Sequence, residues 1–183
     1  MRRLSRPIVL IIFVTLLLGV GWLIFDDLQL RRETQRLSLE LQRSEDEIAV
    51  FFIKSTPNNF YLKPVIVKIN REEDKHLQAL KALFSGPPEG SNLNPVFSPE
   101  TEVLNFELNN GLAIVNLNRY ASQLNVGAQG EYLAVASIVN TLTKLPDVYR
   151  VKIRIEGKEV DSLAGHVDLT ATFEYDNRVV TLD

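Results

Sequence analysis

Hydrophobic positions fall into three regimes along this chain. Pro7 to Phe25 (PIVLIIFVTLLLGVGWLIF) is an uncharged apolar run of 19 residues. As a helix it would extend roughly 28 Å, about the hydrocarbon thickness of a bilayer. The next stretch, LQLRRETQRLSLELQRSEDE, is polar and free of Gly and Pro, so it reads as helix. Within and just beyond it, Leu30, Thr34, Leu37, Leu41, Ser44 and Ile48 recur at alternating steps of four and three, the spacing of a short coiled-coil seam. From Ile48 onward the pattern changes again, to short strand-like runs and two amphipathic stretches.

The globular part predicts seven main elements. Ile48–Lys54 is a short apolar strand, and after the turn residues Thr56–Asn59 a second strand runs from Tyr61 to Ile69. Pro64 cannot donate to a ladder, which predicts an edge or a bulge there. A first helix starts at Asn70 as N-cap with Glu73 completing a capping box. It buries Leu77, Leu80, Leu83 and Phe84, and Gly86-Pro87-Pro88 stops it. Glu102–Leu117 reads as a hairpin around Asn110-Gly111, a pair compatible with positive φ. A second helix, Glu131–Leu145, buries Tyr132, Val135, Val139 and Leu142 and is stopped by Pro146. Val148–Ile155 is a strand in which Val151, Ile153 and Ile155 alternate with Arg150, Lys152 and Arg154. The tail, Thr172–Leu182, is again rich in β-formers. The order β-β-α-β-β-α-β predicts an α+β fold: a mostly antiparallel sheet with two helices packed on one face, and further short strands.

Charge assigns a direction to the apolar run. Arg2, Arg3 and Arg6 precede it and Asp26 and Asp27 follow, which by the positive-inside rule keeps the N-terminus cytoplasmic. A cleaved signal peptide would have a shorter core and a small-x-small site, whereas this run ends in Trp22-Leu23-Ile24-Phe25. The expected organisation is a cytoplasmic end (1–6), a signal-anchor helix in the lipid bilayer (7–25), a stalk (26–47) and an extracytoplasmic domain (48–183). The stalk is either a solvated spacer or a seam through which a homodimer forms.

Composition then removes whole classes of function. The chain of 183 residues has 20 Lys and Arg against 23 Asp and Glu, and past the N-terminus no segment has a basic excess, so nucleic acid is not an expected partner. There is no cysteine, which excludes disulfides, thiolate metal sites, a Cys nucleophile and a lipid-modified cysteine. The two histidines are too few to build a zinc site with the acids beside them, and no other metal or cofactor motif is present.

His166 and Asp168 form the one His/acid pair at suggestive spacing, since in a strand i and i+2 share a face. Neither a Gly-x-Ser-x-Gly elbow nor a Cys accompanies them, so no catalytic residue is assigned. They read chiefly as ties holding a loop, with ligand or partner contact as the alternative. Asn140, Thr141 and Thr143 read chiefly as satisfying backbone groups near a helix end, with binding by Asn140 as the alternative. Arg150, Lys152 and Arg154 place a basic stripe on one strand face, by default solvated and otherwise a surface for an acidic partner.

Several of these stretches, in order, resemble the GerMN domain, a family named for a spore-germination protein. They are Leu83-Phe84-Ser85-Gly86-Pro87, Ile114-Val115-Asn116-Leu117, Ile138-Val139-Asn140-Thr141-Leu142-Thr143, Ile155-Glu156-Gly157-Lys158 and Gly165-His166-Val167-Asp168-Leu169. The resemblance covers about residues 48–175. It departs from the family at Pro95–Pro99, where the family tends to have Ile-Pro-x-Gly, at Asn116, often Asp there, and at Asn118, often Ser. It implies an anchored envelope protein without catalysis, connected with sporulation or germination, and a fold like that of ring-building domains in spore channels. The expected function is therefore a non-enzymatic module that meets envelope proteins or peptidoglycan. A general division or envelope scaffold is the alternative, and a wall-active hydrolase the weakest reading.

Overall fold

The computed structural model describes residues 47–182 together with Trp22, Phe25 and Gln29. Those three are helical and exposed. The rest of the expected span and stalk, with the seam positions Leu30 to Ser44, lies outside the described residues. Among the described residues no helix is long and apolar enough to cross a membrane.

Within the compact unit Asp46–Asp183 the order of elements is the expected one. Strands β1 (Glu47–Ser55) and β2 (Phe60–Lys68) form an antiparallel pair. Helix α1 (Lys75–Ser85) follows, then β3 (Val103–Asn109), β4 (Leu112–Leu117), a 3-10 turn at Arg119–Ser122, helix α2 (Ala128–Thr143) and β5 (Arg150–Ile155). The fold is α+β, as expected, but it holds two sheets rather than one: β1-β2 and β3-β4-β5. β4 and β5 pair in parallel. A crossover containing a helix brings the chain back to the starting end of the sheet, so the next strand runs in the same direction. The helices contact each other, and both contact β1.

β1 opens at Glu47 and buries Ile48 in the main core, so Ile48 belongs to a strand and is not available to a helical seam. Both faces of β1 are used. Ile48, Val50 and Phe52 enter the main core, while Phe51 packs with Leu62, Leu133 and Ala136 in a second cluster. The outer edge of β1 is also occupied: Phe51 N–H donates to the Thr141 hydroxyl at 3.1 Å, and Ile53 exchanges backbone bonds with Asn94. Pro64 stands opposite Phe51 without a bulge. Leu62, two residues earlier, turns its backbone N–H outward to Val179, so Pro64 also faces outward, where a missing N–H breaks no ladder bond.

The other differences are local. Asp74, not Asn70, caps α1, accepting from the N–H groups of His76 (2.8 Å) and Leu77 (3.0 Å). Asn70 instead opens a polar turn in which its side chain accepts from Glu72 N–H. The buried stripe runs through His76, Ala79, Leu80, Leu83 and Phe84, so Leu77, expected in the core, lies at its edge and is exposed. Gly86 ends the helix with φ +88°, as the sequence required. Asn110 and Gly111 both have positive φ (+49° and +79°), the type I′ geometry that matches strand twist. A bulge between Val103 and Asn105 leaves Leu104 unpaired and exposed. α2 is buried almost all round, yet Tyr132 lies at its exposed edge. The tail forms single bridges, Phe173 to Val151 and Val180 to Leu62, rather than strands.

Candidate functional site

The Gly165–Leu169 motif is a loop, and a helix residue that the motif does not contain holds it in place. Glu131 sits in the first turn of α2 and is fully buried, at 0% exposure. Its Oε1 accepts from Leu163 N–H and Ala164 N–H, both at 2.9 Å, and its Oε2 from His166 N–H at 2.7 Å. Burial pushes this carboxyl up, but the N–H groups of Ala164, His166, Leu163 and Val167 outweigh it and hold the group below the usual carboxylate range. The magnitudes agree. Desolvating a carboxylate costs several kcal/mol, and three or four hydrogen bonds to a charged group contribute about 1.5–3 kcal/mol each. An oxygen pair surrounded by backbone donors is a poor general base, so Glu131 is a structural anion.

The sequence placed the tie in the side chains of His166 and Asp168, and the structure places it mainly in the backbone. His166 contributes its N–H to Glu131, while its imidazole is exposed and makes no hydrogen bond among the described residues. Asp168 accepts from the N–H (2.9 Å) and hydroxyl (2.6 Å) of Thr170, which lower its carboxyl pKa. Imidazole and carboxylate are not joined. Gly165–Leu169 is not a strand, so the two-residue spacing that would align them does not apply.

The basic stripe is not a continuous solvated face. Lys152 is only 8% exposed. Its ammonium donates to the Thr170 carbonyl and lies 3.5 Å from Glu159. Arg154 shares Glu159, also at 3.5 Å, and Arg150 is exposed. The chain after β5 folds back over this face, with Phe173 paired to Val151 and Lys158 to Ile155. Lys152 and Asp168 are thus brought together through Thr170.

Asn140 belongs to a separate cluster. It exchanges two hydrogen bonds with the backbone of Asp176, both at 2.8 Å, and so clamps the tail to α2. Thr141 serves β1, and only Thr143 satisfies a local helix carbonyl, that of Val139. These are mostly tertiary ties, not helix-end repairs. Beside Asn140, Asp176 takes hydrogen bonds from the guanidinium of Arg178 at 2.9 and 3.0 Å and also bonds Tyr132. Chiefly through Arg178, the Asp176 carboxyl is lowered to about 2. This cluster edges a cleft of about 490 Å³ between α2 and residues 172–178. A more apolar groove of about 670 Å³ is lined by Ile53, Phe60, Val126 and Leu133 among others.

Glu131 and the Tyr132–Asp176–Arg178 cluster are what reading the sequence missed. For Glu131 a signal existed: it lies four residues before Val135 and seven before Ile138, in phase with the buried stripe of α2. For Tyr132 the hint is that Ala136 and Asn140 follow at steps of four on the same face. Nothing local marks Asp176 or Arg178. Among the described residues no group of three or more His, Cys, Asp or Glu is arranged to hold a metal ion.

The two sheets, the βαβ crossover and the loop hung on a helix carboxylate define a small mixed α+β domain with a recognisable relative class. The family model described as "Germane: Sporulation and spore germination" matches residues 49–161, and the chain belongs to that family. Solved structures agree on the fold. The tandem GerMN domains of the sporulation protein GerM from Bacillus subtilis align with a TM-score of 0.63 at 24% identity, over 74% of this chain and 47% of that one. This chain therefore spans about half the length of that tandem protein. The first GerMN domain of the same protein aligns with a TM-score of 0.58 at 22% identity, over 72% of this chain and 98% of that one. A candidate lipoprotein from Clostridium perfringens aligns with a TM-score of 0.53 at 25% identity, over 70% and 86% respectively. No curated protein matches the sequence significantly. The GerMN resemblance read from the motifs is borne out.

Proposed function

We propose that this protein is a membrane-anchored, extracytoplasmic GerMN-type module that binds or assembles envelope components and is not itself an enzyme. Its setting is spore formation, germination or assembly of the cell envelope. The observation that carries the reading is the family match over residues 49–161, in a family defined by sporulation and spore germination. Two further features support it. The Arg-flanked apolar run of residues 7–25 is a signal-anchor pattern with the domain on the far side of the bilayer. The most buried carboxylate of the domain, Glu131, is committed to backbone donors rather than to chemistry. Of the residues picked out for recognition, His166, Asp168 and Arg150 are the exposed ones, the first two on the loop held by Glu131 and the third at the start of β5, and the partner is an envelope protein or peptidoglycan.

The test is crosslinking in cells with tagged full-length protein, followed by capture and identification. Envelope proteins caught only when residues 48–183 are present, with expression rising during sporulation, is the expected outcome. Constitutive expression with capture of division proteins would replace it with a general envelope scaffold. Turnover of purified cell wall by the full chain would overturn the non-enzymatic reading.

A further inference from the structure

Most sheet edges of this domain are blocked. β1 is closed by Thr141 and Asn94. β2 is closed at Leu62 by Val179 and Thr181 and blunted at Pro64. β5 is closed by Phe173 and Lys158. Among the described residues, the β2 edge past Pro64 is open at Ile66, and β3 is open on its outer side. β3 is the outer strand of β3-β4-β5 and pairs only with β4 among the described residues. Asn109 and Leu112 close a two-residue hairpin, so Glu107 and Asn105 turn their backbone groups toward β4 and Phe106 and Leu108 turn theirs outward. Neither Phe106 nor Leu108 has a backbone partner on that side among the described residues. Leu104, at the bulge, is 49% exposed beside this edge.

We propose that β3 is a self-pairing edge: two copies of this chain join antiparallel along it, with Phe106 of each opposite Phe106 of the other. Complementarity within the strand selects this occupant and this register. The stretch reads Leu104-Asn105-Phe106-Glu107-Leu108, and a two-fold axis at Phe106 sets Asn105 of each copy against Glu107 of the other, and Leu104 against Leu108. Each amide then meets a carboxylate, a bond the two side chains already make along the single strand at 2.9 Å. Directly opposed pairs of this kind stabilise a sheet, whereas like charges directly opposed do the reverse. Shifting the pairing one way sets Glu107 against Glu107. Shifting it the other way sets Glu107 against Val103, in the bulge. Phe106 exchanges two main-chain bonds with its counterpart, and the apolar Leu104 is covered. Bulge and turn end the stretch on either side, so the contact closes as a two-fold dimer instead of extending. An edge this short buries less than about 1,000 Å² in total, which makes the pairing transient unless the copies are held close.

The chain has no cysteine, so introduced thiols give a clean test. Full-length Asn105→Cys and Glu107→Cys proteins, carrying different tags, are expressed together and oxidised mildly in cells, and membrane and soluble fractions are read separately. Opposed non-hydrogen-bonded positions lie about 4.5 Å apart between Cα atoms, within disulfide reach. Identical positions in this register lie about 8 Å apart, beyond it. The expected result is a mixed disulfide when both variants are present and none from either alone. Adding Leu104→Lys to both should abolish it without lowering the melting temperature. No mixed disulfide, one that survives Leu104→Lys, or adducts only with other polypeptides would overturn the proposal. The fraction in which the dimer is found reports on anchoring separately.

Discussion

Taking a carboxylate out of water is tolerable at Glu131 only because backbone donors surround it, and that makes the residue intolerant of change. Glu131→Gln keeps the shape but loses the charge and turns an amide NH₂ toward N–H groups. It should lower stability by about 1–3 kcal/mol, read by chemical denaturation, with protease sensitivity rising first around residues 163–168. The folded pKa of Glu131 is depressed relative to its ordinary 4.5. Its contribution is therefore complete above about pH 4.5 and is lost as pH falls through the folded value. Asp176 acts with the same sign over a window from its ordinary 3.8 down to about 2. Melting temperature should accordingly fall on acidification below pH 4.5, and Glu131→Gln should flatten that fall. His166→Ala, by contrast, keeps the N–H that meets Glu131 and should leave the melting temperature unchanged. A large drop would show that the imidazole itself holds the loop.

Among the elements, the β3–β4 turn makes the sharpest demand on sequence. A Cβ at Gly111 would lie 2.2 Å from the Tyr149 ring, and φ there is +79°. Gly111→Ala should cost more than about 1 kcal/mol, and Tyr149→Ala in the same chain should recover part of it, because the clash is removed and the backbone strain is not. The same hairpin shows how much of the fold could be read in advance. Asn110-Gly111 and the Gly86-Pro87-Pro88 stop were legible because glycine and proline act through local backbone geometry. The order of elements was legible because burial imposes a period. Sheet membership was not: the parallel pairing of β5 with β4 depends on where α2 returns the chain, and nothing local marks the tail for single bridges rather than strands, since its partners Val151 and Leu62 lie far away in sequence. The candidate site divided the same way. Asn140 was picked out, but its role required Asp176, 36 residues on. Lys152 was picked out as part of a surface stripe, and only the chain folding back over β5 reveals it as buried.

For the molecule as a whole, deleting residues 1–25 should move the protein from the membrane to the soluble fraction, and protease added outside spheroplasts should degrade the domain of the full chain. Retention in the membrane after the deletion would remove the anchor from the proposed function. The bonds joining Leu62 to Val179 and Thr181 have a bearing on synthesis and export. Nearly 120 residues separate the two sides, so the hairpin made early in translation keeps an open edge at Leu62 until residues 179–181 have been made. Contacts of such long range form late. A nascent chain halted near residue 170 should therefore remain loosely folded, exchanging its β1 and β2 amide protons with solvent, and so remain threadable through a narrow translocation channel. Synthesis of the stretch beyond about residue 170 would then act as a latch that turns a loosely folded chain into a settled domain, and in the proposed extracytoplasmic setting it would do so only after passage across the membrane.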